Sequence, residues 1–129
     1  MNAPHAIAAF DLLEPEWDRI EALALCLVET RQGCEPPGEL LATLADLQQT
    51  VMRVRSDLGG WSRLPVSDLS PIEMDSLAAV AAAELQPRVG WVFQNLQGGV
   101  APYASAALLQ NLLALRGGEI GRASCRERV

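Results

Sequence analysis

The sequence predicts an all-α fold of about five helices, an N-terminal helical hairpin followed by a three-helix C-terminal block. Three observations carry this. Apolar residues recur at spacings of three and four in five separate segments, which is the period of one helix face. Helix punctuation surrounds those segments, with prolines at prospective first turns (Pro15, Pro71, Pro87, Pro102) and glycines at prospective ends (Gly33, Gly98, Gly117). No segment sustains the apolar–polar alternation with β-branched residues that a half-buried strand requires.

Residues 1–13 show no clear period and read as a loose arm, with Phe10, Leu12 and Leu13 docking at its end. The first helix is expected to begin around Pro15, because proline suits the first helical position and Glu14, Glu16 and Asp18 favour the positive end of the helix dipole. Trp17, Ile20, Leu23, Leu27 and Val28 then fall on one face, and Gly33, Pro36 and Pro37 stop the helix. A second helix over 38–58 carries Leu40, Leu44, Leu47, Val51, Val54 and Leu58, a heptad seam of nearly three repeats. Two readings of that seam compete, a coiled-coil dimer and an antiparallel hairpin within 14–58. The short connection and the matching apolar stripes favour the hairpin.

Residues 59–69 form a connector, broken by Gly59, Gly60 and Pro65. The third helix has the strongest start signal in the chain. Ser70-Pro71-Ile72-Glu73 places a capping serine, a first-position proline and a third-position glutamate able to reach back to the cap amide. Met74, Leu77, Ala78, Ala81 and Leu85 are expected to line its buried face. Pro87 ends this helix and opens the next, whose stripe of Val89, Val92, Phe93 and Leu96 closes at Gly98-Gly99. Pro102 is expected to open the fifth helix, with Leu108, Leu109, Leu112, Leu113 and Leu115 buried or half-buried and Gly117 as its end. Residues 70–118 make up the C-terminal helical block.

The composition bounds the function. The chain has 129 residues, half of them hydrophobic, which suits one domain. Its mean hydropathy is slightly positive, against the profile of a disordered chain. No apolar run approaches the roughly 18 to 20 residues of a membrane span, so no membrane partner is expected. The N-terminus lacks a basic region followed by an apolar stretch, so the expected compartment is cytoplasmic. A formal charge of −6 leaves no cation surplus for phosphates, which disfavours nucleic acid as a general partner and with it a DNA-binding regulator, so no nucleic-acid partner is expected. All ten basic residues are arginine. Without lysine, no P-loop lysine, Schiff base or lysine general base exists.

No constellation of catalytic or metal-ligating residues emerges, so catalytic, cofactor-binding and metal site residues are all read as none. His5 is the one histidine and lies in the arm, which rules out a Ser-His-Asp or Cys-His set. Cys26 and Cys34 are eight apart, unlike the paired cysteines of a zinc site, and read as a buried structural cysteine and a loop cysteine. Glu73 reads as a cap, and Glu84 as a possible i,i+4 partner of Arg88. Trp17, Trp61 and Trp91 each sit near an apolar stripe, which favours core packing over service as partner anchors.

One stretch carries a family resemblance. Leu69-Ser70, Glu73, Asp75, Glu84-Leu85, Arg88, Trp91, Leu96-Gln97 and Pro102 occupy, in order and spacing, the positions of an N-terminal helical region. That region is found in bacterial AAA+ ATPases, including those encoded with contractile injection systems, and the similarity covers 69–116. Gly98-Gly99 departs from the charged pair often found after Leu-Gln in that family. The resemblance implies a non-catalytic domain that precedes an ATPase module and positions it on a protein partner or substrate. ATP and Mg, and homo-oligomerisation, would then belong to the parent ATPase, whose Walker motifs and arginine finger would follow residue 118.

The last eleven residues, 119–129, read differently from the rest. They hold three of the ten arginines and one of the three cysteines, follow Gly117-Gly118 without periodicity, and resemble a common sequencing adapter translated in frame. On that reading they are a non-native tail. The preceding 118 residues then carry −7, from seven arginines against fourteen carboxylates. The competing functional class is a stand-alone acidic helical adaptor or dimerisation protein, separated from the ATPase reading by whether the frame continues past Gly118.

Overall fold

The computed structural model describes residues 3–56, 69–99 and 101–115. They form five helices, α1 (Ala3–Arg31), α2 (Gly38–Ser56), α3 (Pro71–Leu85), α4 (Pro87–Leu96) and α5 (Ala106–Ala114), and no strand occurs among them. The fold is all-α, as the spacing predicts. No described helix is long and apolar enough to cross a membrane.

Helix α1 is the axis of the molecule, in contact with all four other helices. Leu13, Ile20, Leu23, Ala24 and Cys26 are fully buried, and Trp17 and Leu27 nearly so. The helix starts earlier than expected. Backbone from Ala3 is already helical, where the sequence suggests a loose arm through residue 13, and Pro15 lies inside the helix. Proline there removes one hydrogen-bond donor, while the alanines and leucines on its N-terminal side are strong helix formers. The other end follows the sequence closely. Gly33 takes φ +80°, its N–H bonds Thr30 O and the Cys34 N–H bonds Glu29 O, a paired closure that retires two orphan carbonyls.

The described part of the seam, on α2, lies against α1, so the hairpin is the arrangement formed. Leu44 and Val51 are buried and Leu40, Leu47 and Val54 half-buried, while Leu58 and Trp61 fall outside the described residues. A single apolar core draws residues from all five helices, so the hairpin and the described part of the 70–118 block share one interior.

Helix α3 begins as predicted. The Ser70 hydroxyl accepts from Glu73 N at 3.3 Å, and the Glu73 carboxylate accepts from Ser70 N at 2.8 Å. Its inward face differs from expectation. Asp75, Ala78, Ala79 and Ala82 are buried, whereas Leu77 and Leu85, expected inside, are exposed. The helix is rotated because three alanines admit α1 closely and because Asp75 has cationic partners on the inside. Helix α4 matches its stripe, with Val89 and Phe93 fully buried, and ends through Gly98 (φ +71°) and Gly99 (φ +82°) in the same paired closure as α1. Helix α5 starts later than Pro102. Ser105 caps it, accepting from Leu108 N at 3.2 Å, and Leu108, Leu112 and Leu115 are buried. Gly117 lies outside the described residues.

Candidate functional site

Four charged side chains meet where α1, α2 and α3 converge. Glu16 and Arg19 are three residues apart and therefore share a face of α1. Arg55 reaches in from the last turn of α2, and Asp75 from the first turns of α3, which the Ser70 cap fixes. Arg55 grips Glu16 with two bonds of 2.8 Å, Nε to Oε2 and Nη2 to Oε1, and its Nη2 also reaches Asp75 Oδ1 at 2.8 Å. The same Oδ1 accepts from Arg19 Nη1 at 3.0 Å. Both carboxylates are fully buried, Arg19 is 4% exposed and the Arg55 side chain 17%.

Among the described residues two cations and two anions offset one another, which is how such charges can be tolerated in an interior. Burial works against the charge on Arg55, but the bonds and charges of Glu16 and Asp75 outweigh it and raise its pKa. A guanidinium is always protonated, so Arg55 holds its charge in place. Its chemistry is that of a clamp tying three helices. An open pocket of about 520 Å³ lies beside it, lined among others by Arg19, Gln48, Met52, Arg55 and Ser56.

None of these four residues stands out in the sequence as a partner of the others. Glu16 reads as helix-dipole complement and Arg55 as one polar-face residue among several. The only signal is a polar residue interrupting an apolar face, as Glu16 and Arg19 do beside Trp17 and Ile20.

Several of the polar positions between 69 and 102 have structural posts. Ser70 and Glu73 form the cap, whose bonds from the Ser70 backbone and hydroxyl hold the Glu73 carboxyl below its usual range. Asp75 joins the charged cluster. Arg88 does not pair with Glu84, as the i,i+4 spacing suggests. It turns to α1, with Nε 2.6 Å from Glu21 and Nη2 3.9 Å from Asp18, and Glu21 foremost raises its pKa. Two carboxylates on a neighbouring helix outcompete one on the far side of the Gln86–Pro87 break. The Gln97 side chain organises the α4–α5 turn, donating to Ala101 O (3.2 Å) and Tyr103 O (2.7 Å) and accepting from Ser105 N (2.8 Å). Gly90 makes room for that turn. A Cβ at this position would lie 2.9 Å from the Pro102 carbonyl oxygen.

The tryptophans divide. Trp17 is core, but Trp91, also expected in the core, is 67% exposed. It sits on the outward side of α4, opposite Val89 and Phe93, where an adjacent stripe does not imply burial. On α3, Leu77 and Val80 are exposed at 41% and 50%. Exposed Glu73 and Glu84 bracket them at i−4 and i+4 on the same side of the helix. Cys26 is fully buried, and burial first, then the charge of Glu29, pushes its thiol up to about 11. Cys34 is half-buried in the turn after α1. His5 falls within the first turns of α1. Among the described residues no three His, Cys, Asp or Glu side chains gather as a metal ion would need.

Comparison with protein-family models, with curated proteins and with solved structures finds no match to this chain.

Proposed function

We propose that the chain is a cytoplasmic, non-catalytic helical domain, similar to the N-terminal region of a bacterial AAA+ ATPase, that positions its motor on a protein partner. The outer face of α3 is the observation that carries this reading. Leu77 and Val80 are presented to solvent between Glu73 and Glu84, on a helix immobilised by a capping box, a buried ion cluster and alanine packing. Apolar side chains on a rigid element with a charged rim are the usual make-up of a protein-binding surface. ATP and Mg would be handled by the parent's ATPase module, and homo-oligomerisation would come through it.

Sequencing the locus across codon 118 with adapter sequence removed tests the reading. An open frame that goes on to encode G-x-x-x-x-G-K-[ST] supports it. A stop codon within a few residues overturns the motor and leaves the stand-alone acidic adaptor. Dimerisation through the α2 seam is the weaker form of that alternative, because Leu44 already sits in the core shared with α1 and Val51 is buried.

A further inference from the structure

A second, concave surface lies away from the α3 face. Between α1 and α2, bounded by Arg88 of α4, is a groove of about 300 Å³. Leu25, Leu40 and Leu47 give it apolar walls, and Asp18, Glu21 and Arg88 stand at its edge. Leu25 is 37% exposed, and Leu40 and Leu47 are half-buried although they belong to the heptad seam. The hairpin thus leaves one edge of its own seam open.

The charge around the groove is lopsided. Glu14 lies one turn before Asp18 on the same stripe of α1, and Glu39 and Asp46 flank the lining residue Thr43 on α2; all three are exposed. Among the described residues that line the groove, the cation facing these five carboxylates is Arg88, already engaged by Glu21 and Asp18. Arg53, the next cation along α2, bonds Thr50 nearly three turns from Thr43.

We infer that this groove receives a basic amphipathic helix of a partner protein. Its aliphatic side chains seat among Leu25, Leu40 and Leu47, and its flanking lysines or arginines face the exposed carboxylates of the rim, Glu14, Glu39 and Asp46. A groove between two packed helices accepts a third helix through its apolar stripe, and charge complementarity selects a cationic one. A second copy of this chain, itself at −6, and an anionic lipid or nucleic-acid surface are all repelled by the same carboxylates. The inference rests on the positioning reading only in requiring a protein partner.

The test uses the full chain and two fluorescein-labelled helical peptides of about five turns. Both carry a leucine stripe at helical spacing, one flanked by Lys and Arg and its twin by Glu. Fluorescence anisotropy at low ionic strength should show the basic peptide binding at least about ten-fold tighter than its twin. Leu25→Gln should weaken the basic peptide by about five-fold or more with melting temperature unchanged, since one apolar contact is removed from an exposed position. The Glu14→Gln, Glu39→Gln, Asp46→Asn triple variant, which leaves the Arg88 pairs intact, should narrow the gap between the two peptides. Equal affinities for the twins, or undiminished binding by Leu25→Gln, would overturn the groove. Binding lost in Val80→Asp but kept in Leu25→Gln would also overturn it and move docking to α3, leaving the positioning reading in place. A stop codon after residue 118 would remove the motor without bearing on the groove.

Discussion

Helix α1 is held by two kinds of contact, and they differ in what they tolerate. Toward the last turn of α2 and the start of α3 it meets buried charge, with Glu16 and Arg19 locked to Arg55 and Asp75. Toward the middle of α2, the rest of α3 and the inward faces of α4 and α5 it meets Leu44, Ala78, Ala79, Ala82, Val89, Phe93, Leu108 and Leu112. Apolar contacts are non-directional, and their contribution scales with the area removed from water. A volume lost at one position is therefore shared with its neighbours. The charged contact is stoichiometric. Each member neutralises another, and removing one strands the rest in a medium that solvates them poorly.

The sharpest way to break this contrast is Asp75→Ala, which leaves Arg19 and Arg55 facing each other. We expect a loss of about 3–5 kcal/mol in urea unfolding, the range for stranding one side of a buried ion pair. A loss below about 1 kcal/mol would put the two regions on the same footing. In the apolar region, Gly90→Ala should cost about 1–3 kcal/mol by overpacking. Its new methyl group must displace the Pro102 carbonyl, despite the better helix propensity of alanine. Phe93→Leu, which trims a fully buried apolar side chain, should cost about 1–2 kcal/mol, well under the full truncation of a core aromatic. A larger loss in the same unfolding assay would show that the apolar region is as exacting as the charged one.

The smallest expected effect concerns Cys26 and appears only in alkali. Its folded pKa of about 11 exceeds the ordinary 9.0. Between those values the native thiol keeps a proton that the unfolded thiol releases. The contribution to stability is therefore fully present below pH 9 and declines as pH rises toward 11. Cys26→Ala should flatten that part of the stability–pH curve. At neutral pH, iodoacetamide mapping by mass spectrometry should modify Cys34 well before Cys26. Equal rates would mean that α1 opens locally at this point.

How far the sequence could be read follows from the range of the forces involved. The helix ends were accessible because their determinants lie within a few residues. Ser70 and Glu73 cap each other across three positions, Gly33 and Gly98 supply the positive φ that closes α1 and α4, and Pro71 and Pro87 open α3 and α4. The stripes of α4 and α5 were accessible for the same reason. Pro102 misled because the backbone around it is held by Gln97 and Gly90, which lie in the preceding helix and its cap. Residues 3–13 misled because helical continuity through Pro15 draws on the anchoring of Leu13 in a core assembled from distant segments.

The charged cluster was the least accessible feature. Its closest pair between helices spans 20 residues and its widest 56. No local pattern couples Asp75 to Arg55, to Arg19 or, through them, to Glu16. The facing of α3 belongs with it. That helix is apolar nearly all the way round, so periodicity could not choose a side. Short-range propensity and capping thus set where each helix runs, because they act within one turn. Which face of α3 turned inward, which tryptophan was left in solvent and which carboxylate Arg88 took were set by steric fit and charge pairing between helices, which exist only once the chain has folded.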